Sequence, residues 1–234
     1  MNRRGAEAQR KPINGLRRFA RHGFLLFSAP LRLCGSIVFL AGTTFSLSAS
    51  AGAQLYEPLA ASVKASLYRS ISDRAPSLSS FPTSGEAATW LAEMSARLER
   101  KMPDQAARLD LLKSIHYEAT RAGLDPEMVL GLVEVESGFR KYAVSGAGAR
   151  GYMQVMPFWQ DLIGQRDNNL FHMRTNLRYG CTILRHYLDI EHGDLYRALG
   201  RYNGSLGKPE YPNLVRGAWE KHWRQTSNSN LALR

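Results

Sequence analysis

The 234 residues carry 31 Lys and Arg against 20 Asp and Glu, a net charge of +11, yet eight of the bases and only one acid precede Gln54. From Gln54 onward the excess falls to +4, which suits an anionic polymer but removes the charge argument for a nucleic-acid partner. Of the two cysteines only Cys181 lies beyond the amino-terminal segment, so no intramolecular disulfide can staple the remainder and a packed core must hold it.

Residues 1–53 read as a secretory signal peptide with a long basic front. Arg3, Arg4, Arg10, Lys11, Arg17, Arg18, Arg21 and Arg32 precede the apolar run 35–48 and the small residues Ala49-Ser50-Ala51-Gly52-Ala53. Cleavage near Ala53, or alternatively after Ala51, predicts a periplasmic or otherwise exported chain beginning at or close to Gln54. The apolar run is shorter than the roughly 17–25 residues a spanning helix needs, so a membrane becomes a partner only if the leader stays uncut.

Leu55, Leu59, Val63, Leu67 and Ile71 recur every four positions and predict a helix over 54–72, followed by a Pro- and Ser-rich linker, so that 54–84 reads as an extension. Residues 85–224 read as one mainly α-helical domain of five to seven short helices, and 225–234 as a flexible tail. Trp90, Leu91, Met94 and Leu98 mark one helix, and Leu109, Leu112, Ile115 and Tyr117 a second that stops at Gly123. Asp125-Pro126-Glu127 is a helix start, a cap followed by proline at the first helical position, and the apolar helix it opens ends at Glu136.

Next comes a loop over 143–151, rich in Gly and Ala, that allows backbone to approach a ligand closely. A short helix is expected over 157–164 and a longer one over 176–192. Asp194 caps a brief helix reaching Tyr202-Asn203, and a last helix covers 211–223. Cys181 falls within a helical pattern and reads as a core residue, and His172, His186 and His192 lack the spacing of metal ligands, so neither metal nor organic cofactor is expected.

Glu136 emerges from an apolar helix beside Phe139, a setting in which desolvation can keep a carboxyl protonated near neutral pH; on spacing alone a solvated glutamate at a helix end is the stronger candidate. The motifs around it narrow the choice. Val135-Glu136-Ser137-Gly138-Phe139, the loop from Ala143 through Gly151-Tyr152-Met153-Gln154-Val155-Met156-Pro157, Asn176 with Gly180, and Ala198-Leu199-Gly200-Arg201-Tyr202-Asn203-Gly204 occur in the order found in soluble lytic transglycosylases, and residues 110–224 resemble that family.

The resemblance implies a lysozyme-like helical domain, of the goose-type kind, that cleaves the bond from N-acetylmuramic acid to N-acetylglucosamine in peptidoglycan strands. It implies one glutamate, Glu136, acting first as acid and then as base, with formation of a 1,6-anhydro sugar. Ser137, Ser145, Met153, Gln154, Tyr202 and Asn203 match positions expected to bind substrate or face the carboxyl, and Tyr202 is expected to hydrogen-bond Glu136. Tyr152, Arg201 and Gly204-Ser205 depart from the commonest family pattern, which bears on the shape of the groove. Two alternatives stay open: a goose-lysozyme-like hydrolase in which Asp161 or Asp167 holds a water, and a catalytically silent peptidoglycan-binding scaffold within cell-envelope machinery.

Overall fold

A computed structural model describes residues 54–72 and 84–225. The leader, the linker over 73–83 and the tail from 226 lie outside the described residues. Among those described there are eight helices: α1 (Ala61–Ser72), α2 (Ser84–Leu98), α3 (Gln105–Arg121), α4 (Pro126–Ser137), α5 (Phe158–Ile163), α6 (Met173–Ile190), α7 (Leu195–Asn203) and α8 (Glu210–Ala218). Extended pairing among them amounts to two isolated antiparallel bridges, Val144 with Arg150 and Arg150 with Val155.

Helix α4 is the centre of the fold. Met128 through Val133 are all buried, so this helix is apolar on every side and lies enclosed by α3, α8 and the residues after α8. Gly131 permits a close approach to the segment after α8, because a Cβ built there would sit 2.8 Å from the backbone nitrogen of Trp219. The last helix differs from expectation: after Ala218 the chain continues as one π-helical turn, Trp219–Trp223, rather than as α-helix. That turn swings Trp223 inward, where its ring meets Phe139 edge-on at 5.3 Å.

The extension before α2 is more ordered than a tether. Residues 54–60 are extended, and α1 begins at Ala61, packing on α5 and α6 through Leu67 and Ile71. Its carboxyl end is held by charge-assisted bonds: Arg121 donates to the Ser70 carbonyl (2.6 Å) and Arg178 to that of Ile71 (3.4 Å). Both guanidiniums also pair with the buried Glu118, at 3.1 and 2.9 Å, so one carboxylate joins α1, α3 and α6. At the other end Gln225, placed by its sequence in the tail, is anchored by its backbone N–H on Glu127 (3.0 Å) and its side chain on Glu93 (2.8 Å).

Candidate active site

Helix α4 starts and stops at fixed points. Asp125 accepts from the backbone N–H groups of Glu127 (2.7 Å) and Met128 (3.1 Å), and Pro126 occupies the first turn. Gly138, at φ 57°, closes the helix with its N–H on the Glu134 carbonyl, and Phe139 follows at φ 64°. Two successive left-handed residues turn the chain away immediately after Ser137, leaving Glu136 on the last helical turn.

There Glu136 is 4% exposed. Its Oε1 accepts a hydrogen bond from the Tyr211 hydroxyl at 2.6 Å, while Oε2 is buried with no hydrogen-bond partner among the described residues. Burial pushes the carboxyl pKa up to about 8, against the lowering effect of the Tyr211 bond. The side chain is therefore a carboxylic acid at neutral pH, with one oxygen fixed and the other available for its proton. Burial, reinforced by the neighbouring Glu136, raises the Tyr211 phenol well above its ordinary range, so it remains a donor throughout.

Glu134 shares the helix and has the opposite character. Burial alone would raise its pKa, but Lys101 Nζ at 2.6 Å, His222 Nδ1 at 3.0 Å and Trp223 Nε1 at 2.6 Å carry it below the usual carboxylate value. It is a structural anion that ties α4 to the segment after α2 and to the π-helical turn.

The loop between α4 and α5 is pinned from several sides. Ser145 accepts from the Ala149 N–H (3.1 Å). Gln154, at φ 48°, donates its side-chain amide to the carbonyls of Ala143 (3.1 Å) and Gly151 (3.0 Å). Asn176 on α6 accepts from the Met153 N–H (2.8 Å) and donates to the carbonyls of Arg150 (2.7 Å) and Leu170 (2.9 Å). A Cβ at Gly151 would lie 2.5 Å from the Asn176 amide, and one at Gly180 2.4 Å from the Met153 sulfur, so both glycines are required by close packing. Cys181 is buried against Met153, and burial raises its thiol far above the ordinary range, as befits a core residue.

The structure thus distributes the sequence-predicted residues unevenly. Tyr202 does not hydrogen-bond Glu136: its hydroxyl donates to the Met153 carbonyl at 2.7 Å, and Tyr211 from the next helix takes the carboxyl instead. Tyr202 still stands near enough for charge on Glu136 to raise its pKa further, after burial. Ser137 donates to the Val133 carbonyl (3.1 Å) within its own helix, and Met153 is fully buried. The amide nitrogen of Gln154 is committed to loop carbonyls, and Asn203 is buried as the last residue of α7. Tyr211 escaped the sequence reading except as the start of a helix; the one local signal was an aromatic between Glu210 and Pro212 in the first turn of α8. Asp161 is exposed on α5 and paired with Arg166 at 2.7 Å.

Residues 113–213 match the Transglycosylase SLT domain family. The transglycosylase of Enterobacteria phage PRD1 is 32% identical over 99 residues, 42% of this chain and 36% of the phage protein. Membrane-bound lytic murein transglycosylase C is 56% identical in Actinobacillus pleuropneumoniae serotype 5b (strain L20) and 46% in Haemophilus influenzae (strain PittEE), each over 46 residues, 20% of this chain and 13% of the relative. The chain therefore spans about a third or less of the length of these relatives.

Proposed function

We propose, from the lysozyme-like transglycosylase SLT domain of residues 113–213, that this chain is an exported lytic transglycosylase of peptidoglycan with Glu136 as its single acid and base. The observation that carries the reading is the buried carboxyl of Glu136, with Oε1 held by Tyr211 and Oε2 unpartnered. A pKa of about 8 keeps the proton in place until a glycosidic oxygen arrives.

In the first step that proton passes to the oxygen between N-acetylmuramic acid and N-acetylglucosamine, and the bond from C1 to that oxygen breaks. The leaving sugar departs with a hydroxyl. Positive charge left at C1 is stabilised by the neighbouring 2-acetamido oxygen, as in substrate-assisted glycosidases. Glu136 is now a carboxylate, stabilised by the Tyr211 hydroxyl. In the second step it takes the proton of the same sugar's C6 hydroxyl as that oxygen attacks C1, closing the 1,6-anhydro ring. Glu136 is protonated again, and no water is consumed.

The Gly/Ala loop, with Ser145 and Gln154, and the Tyr202-Asn203 end of α7 frame the place where the strand lies. An exported chain would meet that strand in the periplasm. Mass spectrometry of digested sacculi tests the chemistry, because an anhydro product is lighter than a hydrolysed one by one water. Exclusive release of reducing-end muramic acid would replace this reading with a hydrolase. Equal turnover by wild type and Glu136→Gln would remove Glu136 from the mechanism.

A further inference from the structure

Gln54 lies about 100 positions before the catalytic loop, yet its side chain is built into it. It is 3% exposed, and its amide nitrogen donates to the Gln154 carbonyl at 3.4 Å. Its amide oxygen accepts from two donors, the Met156 N–H at 3.2 Å and the Trp159 indole N–H at 3.0 Å. The same side chain lies close enough to the Tyr202 phenol to lower its pKa against the effect of burial, and that phenol also responds to charge on Glu136. The amide therefore meets the segment 154–159 and the α7 tyrosine at one buried point, one side chain removed from the carboxyl.

The strap that delivers Gln54 is independently secured. Tyr56 meets Phe158 edge-on at 5.6 Å, Glu57 pairs with Arg201 at 3.1 Å, and Leu59 packs on the core before α1 begins. A segment needed only as a tether would have no use for a buried amide with matched donors and acceptor, because each such group costs free energy unless it is satisfied.

We propose that Gln54 is a positioning residue for the catalytic centre, fixing the left-handed turn at Gln154 and the Tyr202 phenol against Glu136. This rests on the proposed function, since it assumes that Glu136 performs the chemistry. The loop geometry it fixes is one a free chain resists: Gln154 is a non-glycine residue at φ 48°, and it carries the bonds that hold Ala143 and Gly151. Residues outside the SLT family match are thereby part of the working site.

The test uses the full-length chain and solubilised glycan strands, with kcat and KM measured separately and thermal melting as control. Gln54→Met keeps length and volume but removes the amide; kcat is expected to fall between about tenfold and about a hundredfold, as for a small misplacement in an active site, with KM changed less than about threefold. Asp189→Asn, which breaks an exposed ion pair with Arg185 on α6, outside the strap, is expected to leave kcat unchanged.

Gln54→Glu gives a second readout. Protonated, the introduced carboxyl can still donate to the Gln154 carbonyl; ionised, it opposes that oxygen, so activity should fall with rising pH sooner than in wild type. The titratable groups around this point are Tyr202 and, beyond it, Tyr187, Cys181 and Glu136, each raised by burial, with the Glu57–Arg201 pair on the strap side. Wild-type kcat in Gln54→Met, or a loss that only tracks the unfolded fraction, overturns the proposal. If Gln54→Met does not fold, a Gln54→Glu pH profile of wild-type shape overturns it. Product formation by Glu136→Gln would instead overturn the functional reading beneath it.

Discussion

Glu134 and Glu136 stand two residues apart on one helix, and their surroundings drive them to opposite states. Glu134 faces Lys101, His222 and Trp223, and these donors hold it as an anion. Glu136 has Tyr211 as its one hydrogen-bond donor among the described residues, and burial holds it as an acid. Both side chains are largely withdrawn from water, so exposure does not separate them; the supply of donors does. The side with Lys101 and two further partners secures α4 to its neighbours, and the side with a single neutral donor retains a proton to give away.

Removing the carboxyl on the poor side should have the largest effect. Glu136→Gln is expected to lower turnover by about 10²- to 10⁴-fold, the usual worth of a general acid and base, as read by release of anhydro-muropeptides. It should also stabilise the fold at neutral pH. The folded pKa of Glu136 is raised from 4.5 to about 8, so its contribution to stability is fully present below pH 4.5 and is lost as pH rises toward 8. An amide has no such loss, and denaturant unfolding at pH 7 should show a gain of up to about 3 kcal/mol. A variant that loses activity and gains no stability would mean that Glu136 is less desolvated than its surroundings indicate.

The donor is the next part to remove. Tyr211→Phe deletes the hydrogen bond that lowers the Glu136 pKa, so the alkaline limb of the pH–activity profile should move upward from about 8. Loss of a donor to the developing carboxylate, roughly 1.5–3 kcal/mol for a bond to a charged group, should lower kcat by about one to two orders of magnitude. A limb that stays in place would assign the titration to another group. On the rich side, Glu134→Gln should act on stability instead. The folded pKa of Glu134 is lowered, so its contribution is present above the ordinary carboxylate value and lost as pH falls through the folded one. The expected cost at pH 7 is about 1–3 kcal/mol, fading in acid, with turnover per folded molecule retained.

Much of the poor side was legible in the sequence. Asp125-Pro126 and Gly138 fix both ends of α4 by local chemistry, and the ordered motifs around Glu136 and Gln154 carry the family resemblance. The partners were not legible, because they are brought in by tertiary packing. Tyr211 and Trp223 reach α4 from the far end of the chain, and nothing in their own neighbourhood marks them as donors to a glutamate. Tyr202 carries the family motif and misled for that reason: its hydroxyl is satisfied by the Met153 carbonyl. The strap at Gln54 was hidden by its apolar repeat, which suggested helix over a stretch that is extended where it meets the loop.

Gly131 is where the two sides can be disturbed together. A methyl group there meets the backbone nitrogen of Trp219 at 2.8 Å, and backbone cannot rotate away as a side chain could, so the π-helical turn must shift. Alanine is favoured over glycine within a helix by about 1 kcal/mol, and overpacking costs about 1–3 kcal/mol, so Gly131→Ala should destabilise by only about 1 kcal/mol net. Its value lies in what moves with Trp219. His222 and Trp223 follow it in the same turn and supply two of the groups around Glu134, while α8, which carries Tyr211, runs directly into it. Gly131→Ala should therefore flatten the acid dependence of stability that Glu134 provides and shift the alkaline activity limb in one variant. A change in only one of the two would show that the carboxyls are set independently, each by its own partners, despite sharing a helix and a neighbour.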